Sequence, residues 1–191
     1  AMTASPEMFD AFEKNKGYKI RIEDIVDGGY YSNHFRIPTK RYITYMLFVE
    51  KFVSDTMRKF VDILHENGKE AMMFLGDNWI GGELYGKFFR NMKLDAIVGS
   101  VNSGATLRML SETPYVKYRE ARFLPYFFPD TLPNDKIATE ALNTYWLQSR
   151  RAMLRKPVDR IGFGGYLKLA AKLPEFVDAI TKLCDEFREI Y

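Results

Sequence analysis

Residues 71–86 have the sequence AMMFLGDNWIGGELYG, in which five apolar residues run without interruption up to Gly76. An apolar run that ends at a turn predicts a buried strand of a parallel sheet. Asp77 follows the run directly, with Trp79 two residues further on. Because parallel α/β folds carry their chemistry at the carboxyl ends of strands, this position favours a functional role for Asp77. The alternative is that Asp77 caps a short helix that follows.

The rest of the chain predicts alternating helices and strands. A mostly apolar run predicts a second strand at 95–101, and further strands are predicted at 118–124, before Pro125, and at 160–165, which ends in glycines. Helices are predicted at 5–17, 39–67, 87–92, 106–111, 138–156 and from 174 onward. Alternation of this kind indicates a parallel sheet with right-handed crossovers. A closed (β/α)₈ barrel has eight strands and about 250 residues. The chain is therefore predicted to be a single α/β domain, residues 1–191, that is part of a TIM-type barrel, or else a small open sheet.

The long helix that Thr39 is expected to cap has its apolar residues at helical spacing. They predict one buried face, formed by Tyr42, Met46, Val49, Phe52, Val53, Phe60 and Leu64. The segment 18–39 mixes aromatic and polar residues and fits no element. It is either a connector or a loop over a functional site.

Composition excludes several classes of function. The 28 Lys and Arg against 25 Asp and Glu give a net charge of +3, which is too small and dispersed for a nucleic-acid surface. No apolar stretch approaches the roughly 18 residues of a membrane span, and no signal peptide opens the chain. His34 and His65 lack the spacing of metal ligands, and Cys184 falls on a predicted core position, with no second cysteine for a disulfide. These features predict a soluble cytoplasmic protein with no metal, membrane or nucleic-acid partner.

The third predicted strand carries a candidate anion site. Side chains alternate along a strand, so Glu120, Arg122, Leu124 and Tyr126 are predicted to project to one side. A guanidinium matches phosphate with two parallel hydrogen bonds, and a phenol adds a donor, so Arg122 and Tyr126 could form an oxyanion or phosphate clamp. The alternative is an ion pair between Arg122 and Glu120 or a helix carboxylate.

Aromatic residues near these positions favour a carbohydrate ligand. Trp79, Tyr85, Phe127 and Phe128 stand among polar residues, and the apolar faces of sugars pack against aromatic rings. Core packing is the alternative for such residues. The glycine-rich stretch 162–165 lacks the Lys and Ser/Thr of a phosphate-binding P-loop, so it predicts a tight turn.

Four blocks of the chain, in order, closely resemble the galacto-N-biose/lacto-N-biose phosphorylases. They are MMFLGDNWIG at 72–81, LDAIVGSV at 94–101, RFLPYFFPD at 122–130 and RRAMLRKPVDRIG at 150–162. The similarity runs through nearly the whole chain. It departs from the family pattern at Asn78 and Leu84, which bears on acceptor preference, and in length, since the family's barrel is complete and is followed by further domains. The chain is similar only to the later, C-terminal portion of that barrel.

The resemblance implies inverting phosphorolysis of a β-galactosyl-(1→3)-N-acetylhexosamine to α-galactose 1-phosphate, with galactosyl-β-1,4-rhamnose as the substrate of some relatives. It implies that Asp77 is the general acid, that Arg122 and Tyr126 contact the attacking phosphate, and that Phe128 lines the acceptor subsite. Trp79, next to the acid, is a second candidate sugar contact. No cofactor is implied besides inorganic phosphate as co-substrate. The implied partners are the disaccharide and either a second copy of the chain or the remainder of the barrel, without which the chain is expected to be inactive.

This mechanism agrees with the residue chemistry. Inverting glycosidases need one carboxylic acid and one carboxylate that activates water, whereas phosphate is already an anion and needs only a clamp. Asp77 must then keep its proton near neutral pH against an ordinary pKa of about 3.9, which requires desolvation. Two alternatives stay open. One is a retaining glycosidase that pairs Asp77 with Glu83 or Glu120, and the other is a carbohydrate-binding or structural α/β domain without catalysis.

Overall fold

The computed structural model describes residues 5–25, 39–75, 86–123, 134–163 and 167–191. The elements, in chain order, are α1 (Pro6–Lys16), α2 (Ile22–Ile25), α3 (Lys40–Glu66), β1 (Met72–Leu75), a 3₁₀ helix (Gly86–Met92), β2 (Ala96–Val101), α4 (Gly104–Ser111), β3 (Tyr118–Phe123), α5 (Asp135–Arg155), β4 (Arg160–Phe163), α6 (Leu167–Ala170) and α7 (Pro174–Ile190).

The four strands form one parallel sheet in the order β1-β2-β3-β4, which confirms the predicted α/β class. Each crossover is long enough to return the chain to the same edge, as parallel pairing requires. Within the described residues β1 and β4 each pair on one side only, so the sheet is open.

One face of this sheet is covered by α4, α5 and α7. The core between them is apolar, and the Phe123 ring of β3 meets the Trp146 ring of α5 edge-on, with centroids 5.6 Å apart. The indole N–H of Trp146 donates to the Glu186 carboxylate of α7, which also pairs with Arg150 at 2.8 Å. Apolar burial therefore holds the helices against the sheet, and the contacts of Glu186 with Trp146 and Arg150 hold α5 and α7 together.

The described residues fall into two compact units, one from 1–62 and 84–92, the other from 63–83 and 93–191. In the first unit α1 packs on α3, in a core made of Met8, Phe12, Ile20, Ile25, Tyr42, Tyr45 and Val49. The 3₁₀ helix also contacts α3, since the Ser54 hydroxyl donates to the Phe88 carbonyl at 2.8 Å and Arg58 donates to the Asn91 carbonyl at 3.1 Å.

The expected cap of α3 is confirmed, because the Tyr42 N–H donates to the Thr39 hydroxyl at 3.2 Å. The predicted buried face is wrong in its later part, where Phe52, Phe60 and Leu64 are 41%, 59% and 40% exposed. The buried residues of this part are Ser54 and Val61, which lie to one side of the predicted face.

The last helix is capped from a distance. Leu173, at the N-cap of α7, provides no side-chain cap. The Asp135 carboxylate of α5 does so instead, accepting the Glu175 N–H at 2.9 Å and the Phe176 N–H at 2.8 Å. The helix α5 begins at Asp135, earlier than the predicted residue 138. Asp135 belongs to its first turn, and Asn134 caps it by accepting the Ile137 N–H at 3.0 Å.

At the amino-terminal edge of the sheet two aspartates repeat one arrangement. Asp95, just before β2, accepts the Ala71 N–H at 2.7 Å, and Asp159, just before β4, accepts the Arg119 N–H at 2.8 Å. Asp95 also contacts the His65 Nε2 at 2.7 Å. Burial pushes the pKa of Asp95 upward, but the bonds from Ala71 and His65 outweigh it and leave that pKa below its ordinary value.

No described helix is long and apolar enough to cross a membrane. No group of three or more His, Cys, Asp and Glu side chains in the described ranges could hold a metal ion. Cys184 is half-buried on α7, and burial raises the pKa of its thiol, which keeps it in the less reactive protonated form.

Candidate active site

Arg122 lies near the carboxyl end of β3, on the sheet face opposite to α4, α5 and α7. Its neighbours Ala121 and Phe123 are fully buried on the helical side. Since side chains alternate along a strand, Glu120 and Arg122 project from the other face. The prediction that these two share a face is confirmed, because both line one depression. Leu124 and Tyr126, expected on the same side, lie outside the described residues.

This depression has a volume of about 410 Å³ and crosses all four strands. Its lining consists of Met72, Phe74, Val98, Glu120, Arg122, Gly162 and Phe163. Met72 is 52% exposed and Phe74 is 43% exposed, so apolar side chains stand open to solvent here. A closed barrel turns this face, opposite to the helices, toward its interior, so its exposure belongs to the four described strands alone.

The Arg122 guanidinium lies over the Phe74 ring of β1, with its central carbon 5.2 Å from the ring centroid. No ion pair joins Arg122 to a carboxylate anywhere in the described ranges. The alternative that pairs Arg122 with Glu120 or a helix carboxylate is therefore not realised among these residues. A cation over an aromatic face keeps the N–H groups at its edge free to donate.

The Glu120 carboxylate occupies the space above Gly162 of β4. A Cβ atom built on Gly162 would lie 2.7 Å from the Glu120 Oε1, closer than real contacts allow. In the strand register Gly162 stands beside Arg122, and Arg160 stands beside Glu120. The Arg160 guanidinium lies over the Tyr118 ring, 5.1 Å from its centroid. The face thus presents two guanidinium groups, each stacked on an aromatic ring, and one carboxylate.

The other candidate residues, Asp77, Trp79, Tyr126 and Phe128, lie outside the described residues, as does Glu83. In the sequence Asp77 comes two positions after Leu75, the last residue of β1. The structure thus brings Arg122 together with Phe74, Glu120 and Gly162, and leaves the placement of the acid and the sugar contacts a prediction.

Sequence reasoning missed the roles of Phe74 and Gly162 as neighbours of Arg122. The alternation along β1 places Phe74 on the same face as Met72, and the sequence contains that signal. Which residue of β1 or β4 meets Arg122 depends on the strand register, and no local pattern encodes it. Arg160 could have been found by the same alternation, since it is two residues before Gly162.

Taken together, the parallel sheet, the helices on one face and the guanidinium near the carboxyl ends on the other define an α/β protein of the (β/α)₈-barrel type. Comparison with known families agrees with this class. The chain belongs to the family described as the lacto-N-biose phosphorylase N-terminal TIM barrel domain, whose model matches residues 1–191.

Curated relatives match nearly the whole chain. A 1,3-beta-galactosyl-N-acetylhexosamine phosphorylase of Lachnoclostridium phytofermentans is 51% identical over 189 residues, which are 99% of this chain and 26% of that protein. A phosphorylase of the same name from Bifidobacterium longum subsp. longum is 50% identical over 192 residues, covering 100% of this chain and 25% of its own length. A D-galactosyl-beta-1->4-L-rhamnose phosphorylase of L. phytofermentans is 37% identical over 194 residues, which cover 98% of this chain and 27% of that protein. The chain thus spans about a quarter of the length of these relatives.

Proposed function

We propose that residues 1–191 are a portion of the catalytic barrel of an inverting phosphorylase that acts on a β-galactosyl disaccharide. The favoured substrate is galactosyl-β-1,3-N-acetylhexosamine, and the products are α-galactose 1-phosphate and the free sugar. The names of the relatives at 50% and 51% identity support this substrate class. The proposed reaction needs no cofactor besides inorganic phosphate.

One observation carries the proposal. Arg122 presents a guanidinium without a described carboxylate partner, in an open depression near the carboxyl ends of the strands. A phosphorylase needs an anion site at this edge of a barrel, and the fork of an arginine matches phosphate geometry. Tyr126 is proposed to add a second donor to the same phosphate.

In the proposed reaction a phosphate oxygen attacks the anomeric carbon of galactose from the face opposite to the leaving sugar. The bond from this carbon to the glycosidic oxygen breaks as the bond to phosphate forms, which inverts the configuration. Asp77 donates its proton to the departing oxygen and ends as a carboxylate. Because the nucleophile is already an anion, no second carboxylate is required, in contrast to an inverting hydrolase.

The acid must be protonated before each turnover, although an exposed aspartate is ionised at neutral pH. Apolar neighbours and the charge of the incoming phosphate both disfavour the ionised form. We propose that Phe74 and Trp79 supply the apolar surroundings of Asp77. Trp79 and Phe128 are the proposed sugar contacts, with Phe128 at the acceptor.

The identity and anomeric configuration of the product test the proposed function. A chimera in which residues 1–191 replace the matching segment of the B. longum phosphorylase is incubated with lacto-N-biose or galactosyl-β-1,4-rhamnose, with and without phosphate. Mass spectrometry is expected to find galactose 1-phosphate only when phosphate is present, and proton NMR is expected to assign the α anomer. Free galactose formed at the same rate without phosphate would contradict the proposal.

Glu120 supports one competing function. It lines the same depression as Arg122, and a retaining glycosidase could pair it with Asp77. Such an enzyme would release galactose with retained β configuration, and its rate would not depend on phosphate. The same incubation therefore separates the two functions.

A further inference from the structure

Among the described residues Arg122 has no carboxylate partner on the open sheet face, although a carboxylate is close to it in sequence. Glu120 is two residues earlier on the same strand and projects from the same face. A carboxylate that paired with the guanidinium would occupy two of its five donors and compete with any anion. No such pair forms within the described part of the chain, and two features of neighbouring strands account for this.

The first feature is the Phe74 ring, which lies under the guanidinium at 5.2 Å. An arginine side chain has many rotamers, and ordering it costs conformational entropy. Stacking on a ring restricts the guanidinium plane through attraction to the ring face, without using an N–H group. Phe74 therefore orders Arg122 and leaves its hydrogen bonds for a ligand.

The second feature is the missing side chain at position 162. Gly162 is the register partner of Arg122, and the Glu120 carboxylate fills the space where a Cβ atom would stand, at 2.7 Å from its Oε1. Any larger residue at 162 would displace this carboxylate. Arg122, Arg160 and Lys117 each lie over an aromatic ring of this part of the sheet, so we expect the displaced carboxylate to move toward one of these cations. Arg122, two residues away on the same strand, is one of them.

We propose that Phe74 and Gly162 are positioning residues that keep the Arg122 guanidinium ordered and unpaired, so that it is available to phosphate. Phe74 holds the plane of the guanidinium, and Gly162 gives the Glu120 carboxylate a place away from it. The inference rests on the proposed function, since it assigns phosphate as the anion that Arg122 binds.

The chimera described above provides the test, with inorganic phosphate as the probe. Phe74→Leu keeps an apolar residue but removes the ring. Its phosphate Kd, measured by calorimetry, and its phosphate KM are expected to rise about 5- to 20-fold, while the disaccharide KM stays within about 2-fold. Phe74→Tyr restores a ring and is expected to recover the affinity. Tyr118→Leu is the matched control, because it removes the ring under Arg160 on the same face, and it should leave the phosphate Kd unchanged.

A second pair of variants tests Gly162 without touching the ring. Gly162→Ala is expected to weaken phosphate binding by about 5-fold or more, because the displaced Glu120 carboxylate competes for the guanidinium. Adding Glu120→Gln to Gly162→Ala replaces that carboxylate with a neutral amide and is expected to restore the phosphate Kd. A mere packing defect at position 162 would not be rescued in this way.

The outcomes are distinct. Recovery by Phe74→Tyr and by the double variant supports the inference. An unchanged phosphate Kd in Phe74→Leu, or a Gly162→Ala defect that Glu120→Gln does not relieve, would overturn it while leaving the proposed function intact. An unmodified chimera that binds no phosphate would overturn the proposed function itself. If Phe74→Leu does not fold, as judged by circular dichroism, the Gly162 pair decides alone.

Discussion

At the scale of single residues, Asp77 provides the most direct test of the chemistry. In the full-length chimera Asp77→Asn keeps the size of the side chain but cannot donate a proton, so we expect phosphorolysis of the disaccharide to fall by about 10²- to 10⁴-fold. Initial rates of galactose 1-phosphate formation give the measurement. A galactoside with an acidic phenol as leaving group needs no proton and should lose much less activity. Near-normal turnover of the disaccharide would remove Asp77 from the mechanism.

A separate prediction concerns the role of Arg122 in phosphate binding. Arg122→Lys keeps the charge but loses the planar fork that binds two phosphate oxygens. We expect the phosphate KM to rise more than the disaccharide KM, which steady-state kinetics with each substrate varied in turn can measure. A change confined to the disaccharide KM would place Arg122 in a sugar subsite instead.

The sequence predicted the faces and positions of these residues better than their neighbours on other strands. The alternation of β3 placed Glu120 and Arg122 on one face, and the apolar run of β1 placed Asp77 after a strand, because both signals are local. The contact of Arg122 with Phe74 and that of Glu120 with Gly162 join residues about 40 positions or more apart. Such contacts depend on strand register, which is a property of the assembled sheet.

At the scale of elements, Asp135 is expected to determine the stability of α7. Asp135→Ala removes the acceptor of the Glu175 and Phe176 N–H groups, and loss of an N-cap costs about 1 kcal/mol. We expect urea unfolding to show this loss in the free energy of unfolding, and faster amide exchange in the first turn of α7. Asp178→Ala, a change on an exposed carboxylate of the same helix, is the control and should have a smaller effect.

The lowered pKa of Asp95 implies that the free energy of unfolding depends on pH in the acid range. The pKa of Asp95 is lowered in the folded chain, so the unfolded chain binds its proton first as the pH falls. The stabilisation by Asp95 is complete above its ordinary pKa of about 4 and is lost as the pH falls through the lower, folded value. The groups facing Asp95 are His65 and Lys117. In Asp95→Asn the free energy of unfolding should therefore fall less steeply as the pH is lowered through the acid range. Asp185→Asn, which removes a carboxylate from an exposed ion pair, should leave this pH dependence unchanged. An unchanged acid limb in Asp95→Asn would contradict the assignment.

Helices and strands could be predicted where apolar residues recur in the sequence at a regular spacing or where a local cap marks the end of an element. The strands β1 and β2 were found because each is a mostly apolar run, and α1 was found by its Ser5 cap and Gly17. The later buried face of α3 was misjudged, because apolar residues occur on two sides of this helix and the spacing alone does not show which side meets a neighbour. The buried side carries Ser54 and Val61. The cap of α7 by Asp135 was missed, because a cap 40 residues away leaves no local signal.

At the scale of the whole molecule, we expect residues 1–191 alone to be catalytically inert. A barrel site gathers side chains from the ends of several of eight strands, and the described sheet has four. Correct positioning of two reactants can be worth about 7–11 kcal/mol, which an open half-site does not supply. The unpaired outer edges of β1 and β4 in the described sheet should also favour pairing with another chain.

The measurement compares the purified chain with the chimera at equal concentration, and sedimentation reports which species is monomeric. No galactose 1-phosphate is expected from the monomer. Phosphorolysis by the monomer at a rate similar to that of the chimera would show that the catalytic set lies entirely within these 191 residues.

The two aspartates at the amino-terminal edge of the sheet have a consequence for the opposite edge. Parallel strands advance about 3.3 Å per residue, so a slip of β4 by one position would carry the Asp159 carboxylate that far from the Arg119 N–H and break a charged hydrogen bond. The same slip would place Ile161 or Phe163 beside Arg122 instead of Gly162, and would turn a bulky side chain toward the anion site. Asp159 thus disfavours the misaligned sheets. It helps to fix which residue stands next to Arg122 from about 10 Å away, at the end of the strand that no substrate is proposed to reach.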